Sequence, residues 1–128
     1  MSRLERIFEV TLHNPETWDE DIELRDLRLI SPAALLDVIL RLSYKVIDVP
    51  PDNTSVAVSI NSRYISPVVV GQTVKVKLFI VNKSEKNTLI KTEIVDENGE
   101  KCFEGEIVRR TVPKDLIRRL ALEKTAKV

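Results

Sequence analysis

The chain has one cysteine, one histidine, one tryptophan and one methionine among 128 residues. A solitary Cys102 cannot close an internal disulfide, and Cys102 with His13 falls short of the three or four N/S ligands that zinc requires, so no metal is expected. Only three glycines are present. No G-x-G-x-x-G, Walker loop or G-x-S-x-G elbow occurs, which removes nucleotide-hydrolysing and α/β-hydrolase chemistry and leaves no expected cofactor. No apolar run approaches the roughly 18 residues that span a bilayer. The opening MSRLERIFEV lacks the apolar stretch of a secretion signal, so a cytoplasmic protein without membrane association is expected. Charge of a single sign is also missing. Lys+Arg and Asp+Glu stand at 20 each, and a neutral total gives no global field to gather a nucleic acid.

What is present is enough apolar residue, 43%, for one core. A single domain over residues 1–128 is expected, since domains of roughly 100 to 150 residues are the commonest size. Residues 4–12 (LERIFEVTL) are rich in β-favouring side chains and predict a strand. Residues 13–30 form an acidic connector in which Asn14-Pro15 ends that strand and no regular element is compelling. Six acids face two bases between Asn14 and Arg28.

Ser31-Pro32 then marks a helix start, a hydroxyl able to accept a free N–H followed by a residue whose φ suits the first helical position. The helix should reach about Ile47. Its body is apolar nearly all round except for Ser43 and the stripe Asp37, Arg41, Lys45, so it requires cover on most of its circumference. Four strand-like runs supply that cover: 55–65, 72–82, 88–96 and 100–112. In the first, strict alternation puts Val56, Val58, Ile60, Ser62 and Tyr64 on one face, with Ala57, Ser59, Asn61, Arg63 and Ile65 on the other. Asn98-Gly99 predicts a hairpin, and Gly105, in mid-strand, a bulge or close backbone approach. A short helix follows at about 113–125. One helix segregated from a run of hairpin-linked strands is the α+β pattern, here a curved antiparallel sheet of about five strands wrapped round one long helix.

This order of elements resembles the hotdog fold of the thioesterase superfamily. The segments ISPAALLDVILRLSY, VAVSINSRYISPVVVGQTVKV and IVDENGEKCFEGEIVRRTV are together similar to fluoroacetyl-CoA-thioesterase-like proteins over nearly the whole chain. The resemblance implies an acyl-CoA thioester bound at a subunit interface of a homodimer or homotetramer, near the N-terminus of the central helix. Free N–H groups there suit a developing oxyanion.

Carried over position by position, the family's hydroxyl residue falls on Ser31, which is also a plain N-cap. The family's catalytic His falls on Tyr64, a phenol with a reference pKa of about 10 that cannot accept a proton near pH 7. The helix Glu falls on Ile39. The nearest carboxylate is Asp37, about 200° round the helix, which an i,i+4 ion pair also explains. The candidate catalytic residues are therefore Ser31 and Asp37, and the candidate ligand-binding residues are Asn61, Arg63, Tyr64 and Gly71.

A hydratase-like Asp/His pair is disfavoured because His13 has no acid at that spacing. Seven bases against two acids between Arg109 and Val128 suit a solvated helix face, pairing with the acidic connector, or the phosphates of a CoA held by a neighbouring subunit. Three functions stay open: an acyl-CoA thioesterase, a non-catalytic module that senses or sequesters an acyl-CoA, and a structural oligomer without ligand.

Overall fold

The computed structural model describes residues 4–127. Five strands and two α-helices follow one another as β1 (Leu4–Thr11), α1 (Pro32–Lys45), β2 (Asn53–Tyr64), β3 (Thr73–Lys83), β4 (Asn87–Val95), β5 (Lys101–Pro113) and α2 (Lys114–Ala126). The strands make one antiparallel sheet in the order β1-β3-β4-β5-β2, so β1 and β2 are its edges. This is the α+β arrangement expected from the sequence, a sheet wrapped round one helix. No helix among the described residues is long and apolar enough to cross a membrane.

The helix lies where its own pattern requires. Leu35, Ile39 and Leu42 are buried against Val74, Val76 and Leu78 of β3, Ile90 and Ile94 of β4, and Phe103 and Ile107 of β5 in one apolar cluster. Each such side chain contributes roughly 1.5–3 kcal/mol on leaving water. Asp37, Arg41, Tyr44 and Lys45 stay on the exposed side of α1.

One detail of β2 departs from the sequence reading. Strict alternation along β2 fails because the register shifts between Ala57 and Ser59, a bulge at Val58. Ahead of it Ser55 and Ala57 face the helix, and beyond it Ile60, Ser62 and Tyr64 do, opposite Ile107, Gly105 and Phe103. Val56 therefore lies with Ser59, Asn61 and Arg63 on the outer face, because one extra residue reverses the phase of everything before it. The Asn98-Gly99 hairpin is present where expected, as a three-residue loop: Asp96 N–H donates to Glu100 O across 2.9 Å, and Gly99 takes φ +83°. Gly105 does mark a close approach, since a Cβ there would sit 3.1 Å from Asn61 O on β2.

Arg109 is a second departure. It is only 7% exposed and takes no part in a basic edge. Its Nε donates to Ser55 Oγ (2.7 Å), Nη1 to Ser43 Oγ (2.8 Å) and Leu40 O (3.4 Å), and Nη2 to Ser55 O (3.0 Å). Burial pulls the guanidinium pKa below its usual value, an effect the Tyr44 hydroxyl partly opposes. The C-terminal half of α1, where backbone carbonyls carry partial negative charge, is thereby tied to β2 and β5.

Candidate functional site

The start of α1 is held from two sides. On one, the connector runs alongside it: Thr17 and Ile30 form a bridge, Trp18 N–H donates to Leu29 O (2.8 Å), and Ser31 N–H donates to Glu16 O (3.0 Å). On the other, the corner after β2 pairs with residues 28–30, through Ile30 N–H to Val68 O (2.8 Å) and Val70 N–H to Arg28 O (3.0 Å). Arg28 closes a short 3-10 turn, Arg25–Leu27, with φ +53°, a conformation that costs a non-glycine residue about 1 kcal/mol. That turn directs the next three residues between their two neighbours.

Ser31 is the N-cap, as the sequence predicts. Its Oγ accepts the Ala34 N–H across 3.1 Å and donates to Glu16 Oε1 across 3.0 Å. Pro32 has no N–H, and Leu35 N–H is taken by Ser31 O. Ala33 is therefore the residue of the first turn whose N–H has no partner among the described residues, and it lies on the exposed side of the helix. Ser31 itself is 5% exposed, which makes it a support for this turn rather than an open nucleophile. The side chain of Glu16 was not singled out from the sequence; its bond to Ser31 spans 15 positions, a separation at which no spacing rule operates.

Asp37 lies one turn beyond Ala33 on that same exposed side. Its Oδ2 accepts from Arg41 Nε across 2.8 Å in the i,i+4 pair expected from the sequence. Ile39 is 1% exposed in the core, so its side chain faces the sheet and not the open side of the helix.

The four ligand-binding candidates separate by face. Tyr64 is on the helix-facing side at the end of β2, and burial together with the neighbouring Cys102 pushes its pKa up from the usual 10. It is thus a hydrogen-bond donor at neutral pH. Gly71 stands in the corner loop that clamps the helix start, at φ +95°, with open space where a Cβ would project. Asn61 and Arg63 point to the outer face. Arg63 Nη2 donates to Glu104 Oε1 across 2.6 Å and holds that carboxyl below its usual range. Both line an open groove of about 870 Å³ with Lys91, Glu93, Lys101 and Glu104. Its charges pair among themselves, Lys101 with Glu93 and Glu104, Lys91 with Glu106. This groove lies on the opposite side of the sheet from Ser31, and its cations are paired with neighbouring carboxylates.

The fold recurs in solved structures. A thioesterase superfamily member from Thermus thermophilus superposes with a TM-score of 0.84 at 12% identity, covering 99% of this chain and 94% of that one. The fluoroacetyl-CoA thioesterase FlK superposes at 0.76 and 11% identity, covering 97% and 96%. A Streptococcus mutans protein solved bound to acetyl CoA superposes at 0.67 and 10% identity, covering 86% and 82%. No curated protein matches significantly in sequence. The model of the fluoroacetyl-CoA-specific thioesterase family matches residues 13–115, from the connector to the start of α2. With the helix start, its two clamping segments and β2 to β5 all inside that match, the chain belongs to this family.

Proposed function

We propose that the protein is an acyl-CoA thioesterase of the cytoplasm that acts at the interface of a homo-oligomer, with the start of α1 as the polarising element. The observation that carries this reading is the N–H of the exposed residue Ala33, without a partner among the described residues, at a helix start capped by Ser31, inside a family named for thioester hydrolysis. The thioester carbonyl oxygen accepts from Ala33 N–H, and the helix N-terminus favours the negative charge that builds there. Asp37, one turn away, takes a proton from the attacking water. The tetrahedral intermediate then expels the CoA sulfur as the C–S bond breaks, the sulfur takes up the proton held by Asp37, and the acid product loses its proton to water, leaving a carboxylate and CoA thiol. Ser31 keeps the turn in place and Glu16 orients its hydroxyl. Tyr64 and Gly71 border the acyl group, while Asn61 and Arg63 serve the ligand only where a neighbouring subunit reaches the outer face.

A second reading, a non-catalytic acyl-CoA binder, draws support from Tyr64. The phenol occupies the family's imidazole position, and its pKa moves away from neutrality. Thermal unfolding with a panel of acyl-CoAs tests binding for both, since a ligand at a hundred times its Kd adds about 2.7 kcal/mol. A shift with at least one acyl-CoA is expected; no shift with any would overturn both.

A further inference from the structure

Two exposed apolar surfaces carry opposite charge. The connector exposes Ile22 (73%), Leu24 and Leu27 among its acids. Helix α2 buries no residue and exposes Ile117, Leu120 and Leu122 beside Arg118, Arg119 and Lys124. One patch is apolar and acidic, the other apolar and basic.

The two are anchored at opposite ends of β2. Asn53, the first residue of β2, pairs with Pro113, from which α2 springs. Beyond Tyr64, the last residue, the corner loop binds Arg28 and Ile30 at the end of the connector. Twelve residues of strand separate these ends by about 36 Å. Among the described residues no ion pair joins α2 to the connector within one chain; Arg118 pairs only with Asp115 of its own helix.

A second copy removes this separation. Of the two edges, β1 carries Glu5, Arg6 and Glu9 in eight residues, whereas β2 carries Arg63 as its one charge in twelve. Charged side chains blunt an edge, so β2, with Val58, Ile60 and Tyr64 exposed, is the edge suited to pairing. When two copies pair antiparallel along β2, the Asn53 end of one meets the Tyr64 end of the other. We infer that α2 of each copy docks on the acidic connector of a second copy, covering Ile22 and Leu27 with Ile117 and Leu120 and placing Arg118 and Arg119 among the connector acids. This inference rests on the homo-oligomer proposed above and names a surface for it. It also sets a basic helix from one copy beside the helix start of the other, because Glu16 belongs to the same connector.

Charge exchange tests it. One variant carries Arg118→Glu and Arg119→Glu, and a second carries Asp19→Lys and Glu23→Lys; mass is followed by light scattering from micromolar concentrations downward. The wild type is expected to be an oligomer, each variant alone to dissociate at concentrations about tenfold higher, and an equimolar mixture of the two to recover wild-type assembly, since both docking contacts in the mixed pair again join opposite charges. Recovery also shows that both variants are folded. A wild-type oligomer with neither variant weakened would overturn the docking and leave the oligomer standing. Weakening without recovery in the mixture would likewise overturn it. A monomeric wild type would instead overturn the interface reading on which the inference rests.

Discussion

The Ser31 hydroxyl donates to Glu16 Oε1 across 3.0 Å while accepting the Ala34 N–H across 3.1 Å. One small side chain thus joins the connector to the first turn of α1, and the N–H of the neighbouring exposed residue Ala33 has no partner among the described residues. Cap, connector and helix start are tied by these bonds.

Ser31→Ala should separate these roles. Loss of an N-cap costs about 1 kcal/mol, and for a chain of this size that lowers Tm by about 4 °C. Glu16→Gln keeps an acceptor for the hydroxyl and removes an exposed charge, so its stability should stay within about 0.5 kcal/mol of wild type. Thermal unfolding checks both; equal stabilities for Ser31→Ala and wild type would show that the cap contributes nothing.

Arg109→Lys should be far from conservative. A lysine cannot reproduce the planar fork that meets Ser55, Ser43 and Leu40 at once, and each buried acceptor left unpaired costs roughly 1–3 kcal/mol. A total loss of about 2–4 kcal/mol is expected from urea unfolding. A variant as stable as wild type would mean that these bonds do not hold α1 on the sheet.

Cys102 predicts a pH dependence. Burial, followed by the nearby Asp96 and Glu100, pushes its thiol up to about 11 from an ordinary 9.0. Above pH 9 the unfolded chain has released this proton and the folded chain retains it. The stabilisation is therefore complete below pH 9 and disappears as pH rises through 11, by up to about 2–3 kcal/mol. Denaturant unfolding at pH 8 and pH 10.5 should show a smaller alkaline loss in Cys102→Ala than in wild type; parallel losses would contradict the buried thiol's role.

Tyr64 predicts an absence in the rate profile. Its phenol, raised from 10, stays protonated through the neutral range, so kcat/KM in Tyr64→Phe should follow the wild-type profile between pH 6 and 9 with at most a uniform reduction. A limb near pH 7 that vanishes in Tyr64→Phe would show that this residue titrates in the reaction.

Much of the fold was legible because its signals are local. Ser31-Pro32 gives the helix start from two residues, and the apolar girth of α1 demands a sheet around it. The bulge at Val58 was not legible, since Val56, Val58 and Ile60 alternate well and only the register against Ala57's partner, Arg109, shows the break. Arg109 did leave a trace. Phe103, Gly105, Ile107 and Arg109 share one phase of β5, so a charge stood at a helix-facing position, but its acceptors lie 54 and more positions away. In the site, Ser31 and the Asp37–Arg41 pair follow from helix spacing. Glu16 does not, because a connector without periodicity gives no rule for which of its acids folds back onto the helix.

The most direct measurement is thiol release from a panel of acyl-CoAs by wild type, Asp37→Asn and Ser31→Ala. Turnover of at least one acyl-CoA is predicted, reduced on the order of a hundredfold in Asp37→Asn with Tm nearly unchanged, because an exposed ion pair contributes at most about 1 kcal/mol. Binding of an acyl-CoA with no thiol released by wild type, or full turnover in Asp37→Asn, would contradict the account.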